Sequence, residues 1–131
     1  MTDVKTRILL VDDDKFLLDM YSMKFVQHGF EVQACLSVKH ALDSLRKGFA
    51  PDVVLFDLIM PEMDGFQFLE SMRAERLADK ALKIALTNQS TDAEQHKVLE
   101  LGGDRVLVKA TLIPSEVVNT VETAIKARTS A

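Results

Sequence analysis

The chain has 131 residues, of which 47% are apolar and 27% charged, and its formal net charge is −4. That composition suits one globular domain with a real core and excludes a disordered or collagen-like chain. The acidic balance, with no basic stripe, argues against direct nucleic-acid binding and against attachment to an anionic membrane surface.

Ile8 to Val11 is the first apolar run, and Asp12-Asp13-Asp14 closes it. Leu17, Met20, Tyr21 and Phe25 follow at helical spacing. Asp14 is placed to cap a helix beginning near Lys15, and Gly29 stands where a C-terminal cap belongs. Phe30-Glu31-Val32 begins a weaker second strand that ends near Cys35. Cys35 is the sole cysteine, so an internal disulfide is excluded and a reducing, cytoplasmic setting is expected. The opening MTDVKTR lacks the apolar core of a signal peptide, and no stretch approaches the length of a membrane span.

Ser37 reads as the N-cap of a helix with Val38, Ala41, Leu42 and Leu45 inward, stopped by Gly48. Val53 to Phe56 is the third strand, ending on Asp57. Asp64-Gly65 signals a turn in which Gly65 is expected to take a positive φ, and the next helix carries Phe66, Leu69 and Met72. Ile84-Ala85-Leu86 forms the fourth strand, ending on Thr87. Thr91 and Glu94 have capping-box spacing for a helix that runs to Leu101 and stops at Gly102-Gly103. Val106-Leu107-Val108 is the fifth strand, ending on Lys109. Pro114 then opens a last helix with Val118, Val121 and Ile125 inward. His28, His40 and His96 sit at unrelated spacings on helical segments and read as surface residues.

Five strand–helix repeats with nearly all-apolar strands predict a parallel sheet covered by helices on both faces. The expected architecture is a doubly wound α/β sandwich in a single domain, 1–131, with a core of about 7–127. Ligands of such folds bind outside the C-terminal ends of the strands.

Asp12, Asp13, Asp57, Thr87 and Lys109 all lie at those ends, and they converge if the first, third, fourth and fifth strands are neighbours. Any one of them alone is explained by helix capping; five suitable residues on four strand ends are not. Three carboxylates repel one another and call for a positive partner. Hard oxygen donors in a small polar pocket favour Mg²⁺, which commonly bridges to phosphate oxygens. Lys109 adds an ammonium and Thr87 a hydroxyl, a set that fits an aspartate attacking phosphorus.

At this point the chain resembles the receiver domain of two-component response regulators. "ILLVDDD", "PDVVLFDLIMPEMDG", "KIALT" and "RVLVK" carry the resemblance, which covers roughly Arg7 to Ala127. It implies a flavodoxin-like five-stranded sheet in the order 2-1-3-4-5. It also implies that Asp57 is the phosphoacceptor, taking a phosphoryl group from a histidine kinase or a histidine phosphotransfer protein. Asp13, Asp57 and the main-chain carbonyl of Ile59 would bind Mg²⁺ directly, and Asp12 largely through water. Thr87 and Lys109 would contact the new phosphoryl group. The surface of the fourth helix, fifth strand and fifth helix would then switch and could support a homodimer. The domain would catalyse only its own phosphorylation and dephosphorylation. Its output would be a downstream protein target or an effector domain outside this sequence.

Three positions depart from the family pattern. Val106 stands where an aromatic switch residue is usual, and Tyr21, the only tyrosine, is on the first helix and does not replace it. Asn88 follows the threonine where Ala or Gly is usual. Lys109-Ala110 replaces the usual Lys-Pro; a cis bond there would cost about 2.5–4 kcal/mol, so a trans bond with a shifted loop and a strained cis bond stay open. Ile59 and Gln89 occupy positions that tune dephosphorylation in the family. A receiver-like adaptor that no longer uses phosphate is a competing reading. An aspartate-nucleophile phosphatase and a flavodoxin fit less well, because Ile59 replaces a second acid and the first loop offers acids where a phosphate needs donors.

Overall fold

A central strand of a parallel sheet meets helices on both faces, so consecutive side chains are all buried although they point in opposite directions. Strands β1 (Arg7–Val11), β3 (Val53–Asp57) and β4 (Leu82–Thr87) have this character, apart from the exposed Arg7 and the half-buried Lys83. They are flanked by β2 (Glu31–Cys35) and β5 (Arg105–Val108), giving the order β2-β1-β3-β4-β5 with every pair parallel. This is the expected doubly wound sheet. The structure, a computed structural model, describes residues 5–88, 91–109 and 113–129.

Among the described residues five helices cover the sheet: α1 (Lys15–Gln27), α2 (Val38–Arg46), α3 (Gly65–Glu75), α4 (Asp92–Glu100) and α5 (Pro114–Thr129). Alternate strand residues divide the core in two. Ile8, Leu10, Val53, Leu55, Ile84 and Leu86 pack with Leu18, Tyr21 and Phe25 of α1 and with Val117, Val118 and Val121 of α5. Leu9, Val11, Val54, Phe56 and Ala85 pack with α2, with Phe68, Leu69 and Met72 of α3, and with Val98 of α4. Phe68 meets Phe56 edge to face at 5.5 Å and seats α3 on β3 one residue before Asp57.

Helix starts are set by short polar side chains that accept otherwise orphaned amides. Asp14 accepts from Leu17 N–H at 3.2 Å, and Ser37 from His40 N–H at 3.1 Å. Asp64 and Thr91 form full capping boxes with Gln67 and Glu94. Each cap sits a few residues past a strand end, so helix N-termini and strand C-termini share one edge of the sheet.

The structure corrects several details of the expected packing. Gly65 does not take a positive φ; the left-handed glycines among the described residues are Gly29, Gly48 and Gly102. Gly65 is required for close approach instead, since a Cβ there would lie 2.7 Å from the Asp57 carbonyl oxygen and 2.9 Å from Leu58 Cα. In α1 the buried face is Leu18, Tyr21 and Phe25, with Leu17 and Met20 half-buried and Phe16 exposed. Phe68 of α3 is buried where the spacing pointed to Phe66, and Val117 and Ala124 join the inward face of α5. His28, His40 and His96 are exposed, as expected.

Overpacking of this kind typically costs 1–3 kcal/mol. Gly65→Ala is therefore expected to lower the unfolding free energy by about 2 kcal/mol. Urea denaturation followed by circular dichroism measures it, and a change within 0.5 kcal/mol, roughly the range of neutral surface substitutions, would contradict the close approach.

Candidate functional site

Parallel register brings the strand ends level: Val11 pairs with Phe56, Asp57 with Leu86 and Thr87 with Val108. Asp12 follows β1, Asp57 ends β3, Thr87 ends β4 and Lys109 follows β5. All four side chains are buried or nearly so, while Asp13 faces solvent. These are the residues the sequence pattern picked out, and the sheet brings them to one edge.

Asp12 is held at both oxygens. Its Oδ1 accepts the Asp14 amide at 2.9 Å, and its Oδ2 accepts from Lys109 Nζ at 2.7 Å. Asp57 Oδ2 lies 3.3 Å from the same ammonium, and Asp57 Oδ1 accepts the Ile59 amide at 3.4 Å. Lys109 therefore belongs first to Asp12, and Asp57 keeps the less satisfied carboxylate.

Burial pushes the Asp57 pKa up, Lys109 opposes the shift, and Asp12 reinforces it; the net direction is upward. Burial alone would lower Lys109, but the Asp12 hydrogen bond and the charges of Asp57 and Asp12 outweigh it and hold the ammonium firmly protonated.

One carboxylate oxygen from each of Asp12, Asp13 and Asp57 lies within 4.8 Å of the other two. Oxygens of one octahedral Mg²⁺ shell stand about 3–4 Å apart, so the three carboxylates can share an ion once their side chains draw inward. The donor chemistry fits: hard oxygens only, with Asp13 open to water that the ion would retain.

Asn88 and Ile59 are exposed beside the buried Thr87, and together with Thr91 and Glu94 they line a cleft next to the acidic group. Val106 is half-buried at a separate groove between α4 and β5, with Gln95, Leu99 and Arg105. Gln89, Ala110 and the 109–110 peptide bond lie outside the described residues. Another concavity of similar size opens at the opposite end of the sheet between Lys5, Asp52, Lys80, Ile125 and Arg128. It has a single carboxylate, so the candidate chemistry is at the acidic edge.

One neighbour escaped the sequence pattern. Tyr21 is buried in the fields of Lys109, Asp12 and Asp57, and burial raises its pKa. Its register along α1 with Asp14 and Leu18, the face turned to the sheet, was the available signal.

Residues 8–122 match the family model of the response regulator receiver domain, and the chain belongs to that family. Among curated relatives it is 37% identical over 93 residues to the transcriptional activator protein PfeR of Pseudomonas aeruginosa, covering 70% of this chain and 28% of that one. It is 32% identical over 110 residues to the DNA-binding response regulator MtrA of Mycolicibacterium smegmatis, covering 83% of this chain and 46% of the relative. The chain thus spans half or less of the length of these relatives. Among solved structures, the chemotaxis protein CheY4 of Vibrio cholerae superposes with a TM-score of 0.85 at 25% identity, covering 92% of this chain and 98% of that one.

A carboxyl whose folded pKa exceeds its unfolded value is ionised at a cost to the fold. That cost is absent below the unfolded value, 3.8 for Asp57, grows as pH rises through the folded value, and is complete above it. Asp57→Asn removes the cost while Lys109 keeps its closer partner Asp12. The variant is expected to be more stable at pH 7 by on the order of 1 kcal/mol. The gain should fade as pH drops toward 4, as thermal melts across that range would show.

Proposed function

We propose that Asp57 accepts a phosphoryl group from a phosphohistidine on a sensor kinase or a phosphotransfer protein. The observation that carries this reading is the convergence of Asp57, Asp12, Asp13, Thr87 and Lys109 at one sheet edge of a response regulator receiver domain. A carboxylate oxygen of Asp57 bonds to phosphorus as the phosphorus–nitrogen bond breaks, and the imidazole leaves with the electron pair.

Asp13, Asp57 and the Ile59 main chain would hold Mg²⁺ directly, with Asp12 acting through water. Bound there, the ion would supply charge compensation for the phosphoryl oxygens. Lys109 moves part of its pairing from the two aspartates to the phosphoryl group, and the Thr87 hydroxyl donates to one of its oxygens. The charge change biases the α4–β5–α5 surface, which carries Val106 where an aromatic gate would sit. That surface addresses a protein target, a second copy, or an effector domain like those of the DNA-binding relatives. The domain acts on no other substrate, and we expect it to work in the cytoplasm. No helix among the described residues is long and apolar enough to cross a membrane.

Incubation with Mg²⁺ and phosphoramidate, followed by intact-mass measurement, is expected to add one phosphoryl group. The adduct should be absent without Mg²⁺ and in Asp57→Asn. No adduct on the folded chain, repeated with phosphohistidine donors, would favour the adaptor reading that Asn88 and Val106 invite.

Mg²⁺ alone should raise the melting temperature by mass action, and Asp13→Asn should weaken that effect about tenfold in concentration. A titration followed by the fluorescence of Tyr21, in a chain with no tryptophan, gives the affinities.

A further inference from the structure

In a parallel sheet crossed by helices, the strands start at the edge where the helices end, opposite the acidic site. There a cavity of about 510 Å³ opens, within the size range of small-molecule sites. It is lined by Lys5, just before β1, by Lys80, in the turn before β4, and by Arg128, in the last turn of α5. Leu82 and Ile125 give it an apolar wall, and Thr6 adds a hydroxyl. Cations in the last turn of a helix complement its dipole, which accounts for Arg128. Lys5 and Lys80 lie outside the helices and have no such account.

The charges around this cavity are not matched. Its one acidic lining residue, Asp52, has Oδ2 committed to the Arg7 amide at 2.9 Å. Among the described residues no carboxylate forms an ion pair with Lys5, Lys80 or Arg128. Asp79, beside Lys80, is exposed and does not line the cavity. Three cations against one carboxylate leave the lining with positive charge in excess, in a chain whose net charge is −4. The turn that carries Lys80 is braced from within: Lys83 Nζ donates to the carbonyls of Ala78 at 2.8 Å and Ala81 at 3.3 Å. Burial lowers the Lys83 pKa, Asp104 and Asp79 oppose the shift, and Arg128 adds to it, so the guanidinium's field reaches this turn.

We propose that this cavity binds a small, freely diffusing phosphate ester carrying two or more negative charges. A phosphoryl group concentrates charge and several acceptor oxygens on one centre, which suits cations gathered around one concavity. Arg128 offers a planar fork for two of those oxygens, and the two ammonium groups and Thr6 supply further donors. The described lining has no aromatic ring to stack a nucleobase, whereas Leu82 and Ile125 suit an aliphatic or sugar portion. The site lies at the other end of the sheet from Asp57 and is independent of the phosphoacceptor reading.

Amide chemical shifts of the whole chain, followed by NMR in about 0.15 M salt without Mg²⁺, test this with pyrophosphate as the probe. Saturating shifts are expected at Thr6, Lys80, Leu82 and Arg128. Lys80→Gln and Arg128→Gln should each weaken binding about tenfold, since each removes a charge-assisted contact. Lys39→Gln, the same charge change at an exposed position on α2, should leave it unchanged. Shifts that never saturate, or an equal loss in Lys39→Gln, would mean diffuse charge attraction and overturn the site. Shifts confined to the acidic edge would overturn it as well. Succinate, a dianion with its charges on two separate carboxylates, should bind more weakly; equal or tighter binding would overturn the phosphate assignment. Retention on phosphatidylglycerol vesicles that pyrophosphate does not displace would overturn a freely diffusing ligand.

Discussion

Two nearly buried carboxylates share one ammonium, and the rest of the acidic edge depends on that arrangement. Asp12 and Asp57 are 2% and 7% exposed, too buried for water to screen their repulsion well. Lys109 sits 2.7 Å from the first and 3.3 Å from the second. It makes their coexistence tolerable without fully satisfying either. A sheet buried on both faces leaves its strand ends as the natural place for such a group. Its helices begin at the same edge, so their caps and the acidic cluster draw on the same short polar loops.

Rigidity is distributed unevenly around that edge. The α3 side is fixed by the Phe56–Phe68 contact, by the close approach at Gly65 and by the Arg46–Glu75 pair. The α4 side has one buried side chain and a locally capped, exposed first turn. More buried side-chain packing therefore stands on the α3 side of Asp57 than on the α4 side.

Much of this was legible in the chain itself. Strand ends were marked by abrupt changes from apolar to Asp, Thr or Lys, and helix starts by Asp14, Ser37 and the Thr91–Glu94 pair. The candidate site followed from topology, because strand order decides which ends meet. Helix rotation was harder to read. Phe16, Leu17 and Leu18 are consecutive and apolar, so spacing alone could not say which faces inward; the register of α1 against the sheet chose Leu18. Gly65 misled for a related reason, since Asp-Gly marks a turn but does not distinguish a left-handed backbone from a tight approach. Tyr21 was placed only by its helical spacing, because its nearness to Lys109 arises across the fold.

Strand order also carries a consequence for how the chain is made. β1 lies between β2 and β3, so all three acidic residues belong to the half that leaves the ribosome first. Lys109 emerges some fifty residues behind Asp57. At synthesis rates of roughly 5–20 residues per second, the nascent β2-β1-β3 unit holds its carboxylates without their counter-charge for seconds. Docking of β5 then adds an edge strand and the neutralising ammonium in one event. The last strand to arrive releases electrostatic strain as it completes the sheet.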